Sequence, residues 1–192
     1  MVTIWGVRLS VYLFWRNWGE EEDYRYQKFR KNWGKNYWWG SLVQVFWLQP
    51  FLAWMISYPL FIAQVSEMPL NVLDYLGVGV WLIGFVFEAG GDWQLTRFKS
   101  NPENKGKLLT TGLWKYTRHP NYFGDAVCWW GYGLIALASG SYVQLFAPLL
   151  MTFLLLKISG VVMLERGLKK TKSGYEEYVH KTPSFIPWFP KK

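Results

Sequence analysis

The chain has 192 residues, enough for one domain, and its composition is 51% hydrophobic and 20% aromatic. A single cysteine, Cys128, excludes an internal disulfide and a cysteine-based zinc site, and two histidines are too few for a His-rich metal site, so no metal is expected. The net charge of +8 suits nucleic acid, anionic lipid or an anionic cofactor, and the positions of the charges decide among these.

The first 40 residues predict a partial helix followed by an interfacial segment. The opening stretch MVTIWGVRLSVYLFW is apolar but short, and Arg8 interrupts it. It lacks the basic n-region and the small-residue cleavage site of a signal peptide. We expect the inner end of a helix whose outer part is missing, or a short interfacial anchor. Residues 16–40 mix charges with aromatic rings and should lie along the cytoplasmic surface of a membrane.

Residues 41–164 predict the transmembrane core of a single all-α, multi-pass membrane domain that covers residues 1–192. A helix needs about 20 apolar residues to cross a bilayer. Four stretches meet this length or approach it: 41–64, 74–95, 124–140 and 141–164. The third is short and turns directly into the fourth, which suggests a helical hairpin.

The cations are segregated along the chain. Six Lys or Arg residues lie in 16–40, six in 96–123 and seven in 165–192, whereas the connections 65–73 and 139–141 carry none. With four crossings, all three basic segments fall on one side of the membrane, which the positive-inside rule identifies as cytoplasmic. This pattern favours a lipid bilayer as the partner over nucleic acid.

The cytoplasmic loop 96–123 has two interpretations. It contains six cations against one acid, and such a loop could grip anionic lipid. It could instead surround a polyphosphate, with Asn101 or Asn121 bonding a ribose or an amide. The cations proposed for that phosphate site are Arg97, Lys99, Lys107 and Arg118.

The stretch YTRHPNYFGD, residues 116–125, is more specific, because a lipid-binding loop has no need for His-Pro-Asn-Tyr before a membrane helix. Pro120 is expected to end one local structure, and Gly124 permits the close approach of a neighbour. Asp125 is expected at the N-terminal end of the next helix, where a carboxylate is favourable, so a simple cap is the alternative to a functional role.

Glu88 and Asp92 are spaced i, i+4 and share one helix face near the cytoplasmic end of the second crossing. Acids at membrane depth usually face an interior cavity. They are predicted either to contact a ligand or to pair with Arg97 or Arg118. Within the cytoplasmic tail 165–192, the stretch GYEEYVHKTPSFIPWFP, residues 174–190, interleaves aromatic residues with prolines and predicts an interfacial cover or a lid over a cofactor. No GxGxxG or Walker-type loop is present, so any nucleotide is bound without a Rossmann domain.

Taken together, these segments resemble the C-terminal domain of steroid 5α-reductase-like membrane proteins, in the bacterial and plant branch of undefined function. The resemblance covers nearly the whole chain, from WGVRLSVYLFWR and EEDYRY through GDWQLTRFKSNPENKGKLLTTGLWKYTRHPNYFGD to GYEEYVHKTPSFIPWFP. The stretch RHPNYFGD is also similar to the signature of sterol C14 and C7 reductases. A shorter form, RHPxYxG, marks the more distant isoprenylcysteine carboxyl methyltransferases.

The resemblance implies that NADPH lies in a cavity on the cytoplasmic side and reduces an activated carbon–carbon double bond of a lipid or sterol-like substrate. By position, the cofactor contacts that it implies are Asp92, Lys99, Asn121 and Asp125. Arg118, His119 and Tyr122 lie in the shared motif and are expected to contact the cofactor too. Asp125 and Glu88 are the candidate catalytic residues.

The chain departs from the steroid reductases at its N-terminus. In those enzymes a Glu and a Tyr on N-terminal helices polarise the substrate carbonyl. The helix with the Glu is expected to be absent here, and Trp5 occupies the Tyr position. Two other functions therefore stay open: an S-adenosylmethionine-dependent membrane methyltransferase and a non-catalytic lipid-binding protein. The basic loops favour the anionic NADPH over the cationic S-adenosylmethionine.

Overall fold

The computed structural model describes residues 1–19, 22, 24–140, 142–158 and 160–191. These residues are mostly helical and form no strand, which confirms the all-helical prediction. The chain divides into two compact units, Met1–Trp54 and Met55–Lys192.

The first unit is a succession of helices. A 3₁₀ turn, Gly34–Asn36, joins α2 to α3, and a π-helical turn, Leu42–Trp47, leads from α3 to α4. Residues 20, 21 and 23, which belong to the predicted interfacial segment 16–40, lie outside the described residues. The helices are α1 (Val2–Asn17), α2 (Tyr24–Trp33), α3 (Tyr37–Ser41) and α4 (Leu48–Val65), of which α4 continues into the second unit.

The second unit contains the sequence motif. A π-helical turn, Leu154–Ile158, follows α7, and an extended segment follows α9. The described helices of this unit after α4 are α5 (Val72–Ser100), α6 (Pro120–Leu137), α7 (Phe146–Phe153), α8 (Val161–Thr171) and α9 (Tyr175–Lys181).

Helix α5 is longer than the predicted second crossing. It begins with a capping box, in which Leu73 N donates to Asn71 Oδ1 and Asn71 N donates to Asp74 Oδ2, each at 2.8 Å. Its 29 residues span about 43 Å at 1.5 Å per residue, which exceeds the hydrocarbon core of a bilayer. The basic loop was predicted to begin at residue 96. The helix instead continues to Ser100 and ends before Pro102, because a residue that precedes proline disfavours the helical conformation.

Helices α5 and α6 pack antiparallel with their backbones in contact. A methyl group at Gly84 would lie 2.5 Å from Cys128 N and 2.6 Å from Gly124 O. Gly77, which lies two turns before Gly84 on α5, meets Gly131 of α6 in the same way. Small residues of this kind let membrane helices approach closely, so the predicted role of Gly124 in close approach is confirmed.

Three helical stretches are long and apolar enough to cross a membrane: Tyr26–Val65, Val72–Ser100 and Tyr142–Thr171. They support an integral membrane protein. The stretch predicted as a third crossing, 124–140, corresponds to α6, which is not among them, so the count of four crossings stays a prediction. The tight turn after α6 is present at Ala138–Gly140, although residue 141 lies outside the described residues.

Candidate functional site

The loop before α6 and the C-terminal segment are hydrogen-bonded to each other. Arg118 N donates to Pro183 O and Trp188 N donates to Tyr116 O, each at 2.9 Å. Between these two bonds, the Thr117 hydroxyl donates to Phe185 O at 2.8 Å. The tail is therefore fixed along the motif, which supports its interpretation as a cover.

The Arg118 side chain is buried, with a relative exposure of 7%. Its Nε and Nη2 atoms donate to Glu165 Oε1 at 2.9 and 2.7 Å. Its Nη1 atom donates to the carbonyl oxygens of Val179, at 3.1 Å, and of Thr182. One guanidinium thus joins the motif to α8 and to the end of α9.

His119 is fully buried, and its ring contacts one residue of α8 and one of α6. Its Nε2 atom lies 3.2 Å from the same Glu165 oxygen, and its ring stacks on Tyr122 with the centroids 5.6 Å apart. Its Nδ1 atom is buried and has no hydrogen-bond partner within the described part of the chain. His119 is the N-cap of α6, and Pro120 takes the first helical position, where the fixed φ of proline is favourable.

Asn121 links the motif to α5. Its Nδ2 atom donates to Oδ1 of the buried Asp92 at 3.1 Å, and its Oδ1 atom accepts from Tyr122 N at 3.0 Å. One turn before Asp92, Glu88 is also buried, and its Oε2 atom lies 3.9 Å from the Cys128 thiol. Both acids therefore share one face of α5, as their spacing predicted, and this face packs against α6. The carboxylate that pairs with Arg118 is that of Glu165, where Glu88 or Asp92 was the predicted partner.

The position of Asp125 corrects one prediction. Because α6 begins at Pro120, Asp125 lies in the second turn of the helix and is not its N-terminal cap. Pro120 starts this helix, whereas it was predicted to end the preceding structure. Asp125 is half-buried.

A cavity of about 420 Å³ lies beside the motif, between the end of α5, the loop that follows it and helices α8 and α9. No carboxylate is among the described residues that line it. Its aromatic walls include Phe98, Trp114, Tyr175 and Tyr178. Its cationic side chains are Lys99, Lys105, Lys107, Arg118 and Lys172.

The structure brings together three of the four cations that were predicted to form a phosphate site, namely Lys99, Lys107 and Arg118. Arg97 is the exception. It lines a separate open groove of about 620 Å³, and its guanidinium lies 5.4 Å from the centroid of the Trp93 ring. The other predicted site residues do not line the 420 Å³ cavity. They are Glu88, Asp92, His119, Asn121, Tyr122 and Asp125.

The phenols of the cavity add no negative charge near neutral pH. Burial, together with the nearby Glu165 carboxylate, raises the pKa of Tyr175 to about 12. Burial also raises the pKa of Tyr178, whose hydroxyl donates to Trp114 O. The cavity is thus an apolar and aromatic space with a positive rim. No group of three His, Cys, Asp or Glu side chains that could hold a metal ion occurs among the described residues.

Sequence reasoning missed Glu165, Lys105 and Lys172. The two lysines were counted in basic segments but not assigned to the site. Glu165 stands among seven cations in 165–192, so the composition of this segment indicates only a basic tail. The available signal was a carboxylate at the start of a basic stretch, ERGLKK, that follows a membrane segment.

Comparison with known proteins identifies the chain as a member of a membrane-protein family related to the steroid 5α-reductases. Residues 1–182 match the family described as "Protein of unknown function (DUF1295)", and the chain belongs to it. The resemblance that the motif suggested is therefore confirmed.

Curated relatives match shorter parts of the chain. The probable O-methyltransferase ustE of Ustilaginoidea virens is 42% identical over 71 residues, covering 36% of this chain and 24% of that protein. The Delta(14)-sterol reductase erg24 of Schizosaccharomyces pombe is 33% identical over 111 residues, covering 50% and 24%. The human 3-oxo-5-alpha-steroid 4-dehydrogenase 1 is 33% identical over 113 residues, covering 59% and 40%. The matches thus span less than half the length of each of these relatives, and no solved structure matches the chain.

Proposed function

We propose that the protein is a membrane reductase that uses NADPH to reduce a carbon–carbon double bond of a lipid or sterol-like substrate. The observation that carries the proposal is the cavity with five cationic side chains and no described carboxylate in its lining. The phosphates of NADPH carry about four negative charges, which this rim complements.

The chemistry of the cavity fits such a cofactor. Lysine ammonium groups are common phosphate ligands, and the rings of Phe98 and Trp114 supply flat apolar surfaces for a planar base. A volume of about 420 Å³ lies within the usual range for ligand pockets. Lys99, Lys105, Lys107 and Lys172 would hold the phosphates. When bound, NADPH supplies the hydride for reduction of the double bond.

The polar residues between α5 and α6 do not line this cavity, and we assign them to the reaction itself and not to the phosphates. Asn121 and Asp92 form a fixed hydrogen-bonded pair, which can orient a polar group of the ligand. Reduction of a double bond also consumes one proton, and the carboxyl groups of Asp125 and Glu88 are the candidate donors. Glu88 is buried in the helix interface, where water is excluded and a proton can be held at a fixed atom.

The membrane supplies the substrate class. Leu82, Ile83 and Val86 are exposed on α5, as expected of side chains that face lipid. A lipid substrate can therefore reach the protein from the bilayer. Two of the relatives are named as a sterol reductase and a steroid dehydrogenase, which supports reduction of a double bond in such a molecule.

A methyltransferase is the second candidate, because one relative is named as a probable O-methyltransferase. S-adenosylmethionine is cationic overall, so the positive rim of the cavity would repel this cofactor. The same rim would attract the anionic NADPH. The charge of the cavity therefore favours the reductase.

Thermal unfolding of the purified protein in detergent tests the choice of cofactor. A ligand present at 100 times its Kd stabilises the native state by about 2.7 kcal/mol, so we expect NADPH to raise the Tm. NADH, which lacks the 2′-phosphate, should do so less. Stabilisation by S-adenosylhomocysteine without a response to NADPH would favour the methyltransferase. No response to either ligand would favour a non-catalytic lipid-binding protein.

A further inference from the structure

A single carboxylate oxygen holds two consecutive residues of the motif. Glu165 Oε1 accepts from Arg118 at 2.9 Å (Nε) and 2.7 Å (Nη2), and it lies 3.2 Å from His119 Nε2. The side chains of Arg118 and His119 are 7% and 1% exposed, and that of Glu165 is 18% exposed. Glu165 comes from α8, 46 residues beyond His119.

This contact determines where His119 carries its hydrogen. The carboxylate is ion-paired with Arg118, so it is ionised and can only accept hydrogen bonds. The facing His119 Nε2 must therefore be the N–H donor. In the neutral imidazole, Nδ1 is then left as an acceptor, and this atom is buried with no partner among the described residues.

The same contact also determines where Arg118 lies. Nε and Nη2 are bound by Glu165, and Nη1 is bound by the carbonyl oxygens of Val179 and Thr182. Held in this way, Arg118 is part of the wall of the 420 Å³ cavity. Without the carboxylate, a buried cation would lose its counter-charge and the wall would lose its fixed geometry.

We propose that Glu165 is a positioning residue of the cofactor site. It fixes His119 in the Nε2–H form, and it fixes Arg118 in the cavity wall that the cofactor would contact. Glu165 fixes His119 in the ligand-free protein, whereas its effect on cofactor binding rests on the proposed function. The two parts are therefore measured separately.

The first measurement is the tautomer of His119, read from ¹⁵N shifts of imidazole-labelled protein in detergent without ligand. The chain has two histidines, and the second, His180, is exposed and serves as the reference, with His180→Gln assigning its signals. We expect the Nε2–H form for His119 in the wild type and a mixture of tautomers in Glu165→Ala. An Nδ1–H form in the wild type, or an unchanged tautomer in Glu165→Ala, would overturn the proposal.

The second measurement is NADPH affinity. We expect a loss of about tenfold in Glu165→Ala, the scale of one charge-assisted contact, and a smaller loss in Glu165→Gln, whose amide oxygen still accepts a hydrogen bond. Glu177→Gln is the matched control, because Glu177 forms an exposed ion pair with Lys181 at 2.7 Å. An affinity of Glu165→Ala within about twofold of the control would overturn the positioning role.

If Glu165→Ala does not fold, both measurements are made on Glu165→Gln instead. In Glu165→Gln, the fraction of His119 in the Nε2–H form and the affinity for NADPH should both be lower than in the wild type, but not lost. Wild-type values for both quantities would overturn the proposal. A wild-type protein with the Nε2–H form but no affinity for NADPH would refute the proposed function, and would still support the role of Glu165 in positioning His119.

Discussion

The side-chain amide of Asn121 donates a hydrogen bond to Oδ1 of Asp92 at 3.1 Å, and this bond joins the first turn of α6 to the buried face of α5. Asn121 Oδ1 is occupied as well, because it accepts from Tyr122 N. The amide therefore has a defined orientation, with its donor toward the acid. Asn121 is therefore both a candidate site residue and part of the contact between α5 and α6.

Asn121→Asp should destabilise the protein, because it places a second carboxylate beside Asp92. We expect a loss of about 1–3 kcal/mol, the cost of an unsatisfied buried group, seen as a lower Tm in detergent. The double variant Asp92→Asn with Asn121→Asp restores one amide and one acid and should recover most of the loss. Asn17→Asp, at an exposed site beside Arg16, is the control. Equal effects of Asn121→Asp and Asn17→Asp would contradict the importance of the pair.

Gly84→Ala should separate α5 from α6. The added methyl group would meet Cys128 N at 2.5 Å and Gly124 O at 2.6 Å, and backbone atoms cannot rotate away. Overpacking of this kind costs about 1–3 kcal/mol, so the Tm should fall. Gly79→Ala is the matched control on the same helix, because nothing lies within 4 Å of a methyl group there. A similar Tm for the two variants would show that the helices tolerate a wider separation.

The sequence predicted the three helical stretches that are long and apolar enough to cross a membrane, and it predicted three of the cations that line the cavity, because both depend on local composition. Apolar runs identify the spans, and the lysines of 96–123 lie close together in the chain. Arg97 and Lys99 could not be separated from the sequence, because the basic loop was predicted to begin at residue 96. Two residues apart on a helix, they point about 200° from each other, so they cannot line one cavity. This followed only once α5 was known to continue to Ser100.

The Glu165 contact could not be predicted in the same way. It joins residues 46 and 47 positions apart, with helices α6 and α7 and the first turn of α8 between them in the chain. The choice of partner for Arg118 depends on which helix packs beside the motif, which composition does not determine. By charge alone, Asp92 and Glu88 are equally suitable partners for Arg118. Arg118 pairs with Glu165 because tertiary packing brings α8 beside the motif.

Lys107→Ala should weaken NADPH binding by about tenfold, because one charge-assisted bond to phosphate contributes about 1.5–3 kcal/mol. Lysine at this position is exposed and lines the cavity, so its loss should leave the Tm of the ligand-free protein unchanged. Arg118→Ala would be a poorer test, because it also removes the bonds to Glu165. Arg97→Ala and Lys191→Ala are the controls, since neither side chain lines this cavity. If all three variants lose the same small amount of affinity, the basic loop binds lipid instead.

The sidedness of the loops is tested by cysteine labelling in sealed vesicles. Leu70 lies in the connection without cations and Lys105 in the basic loop, and both are exposed. Cysteines at these two positions should react from opposite sides, because basic loops stay in the cytoplasm. The native Cys128 is buried and serves as the background. Equal reactivity of both positions from outside would contradict the predicted topology.

High pH should loosen the C-terminal cover through Tyr175. Burial raises its pKa from 10.0 to about 12, so the folded protein keeps this phenol protonated at a pH where the unfolded chain ionises. The stabilisation is fully present below pH 10 and is lost as the pH rises from about 10 to 12. We therefore expect the Tm to fall more steeply between pH 9.5 and 11.5 in the wild type than in Tyr175→Phe, which has no such proton. Tyr142→Phe, at a site that is 79% exposed, should follow the wild type. Lysines titrate in the same range in all three proteins, so only the difference between their curves reports on Tyr175, and parallel curves would contradict the role of its burial.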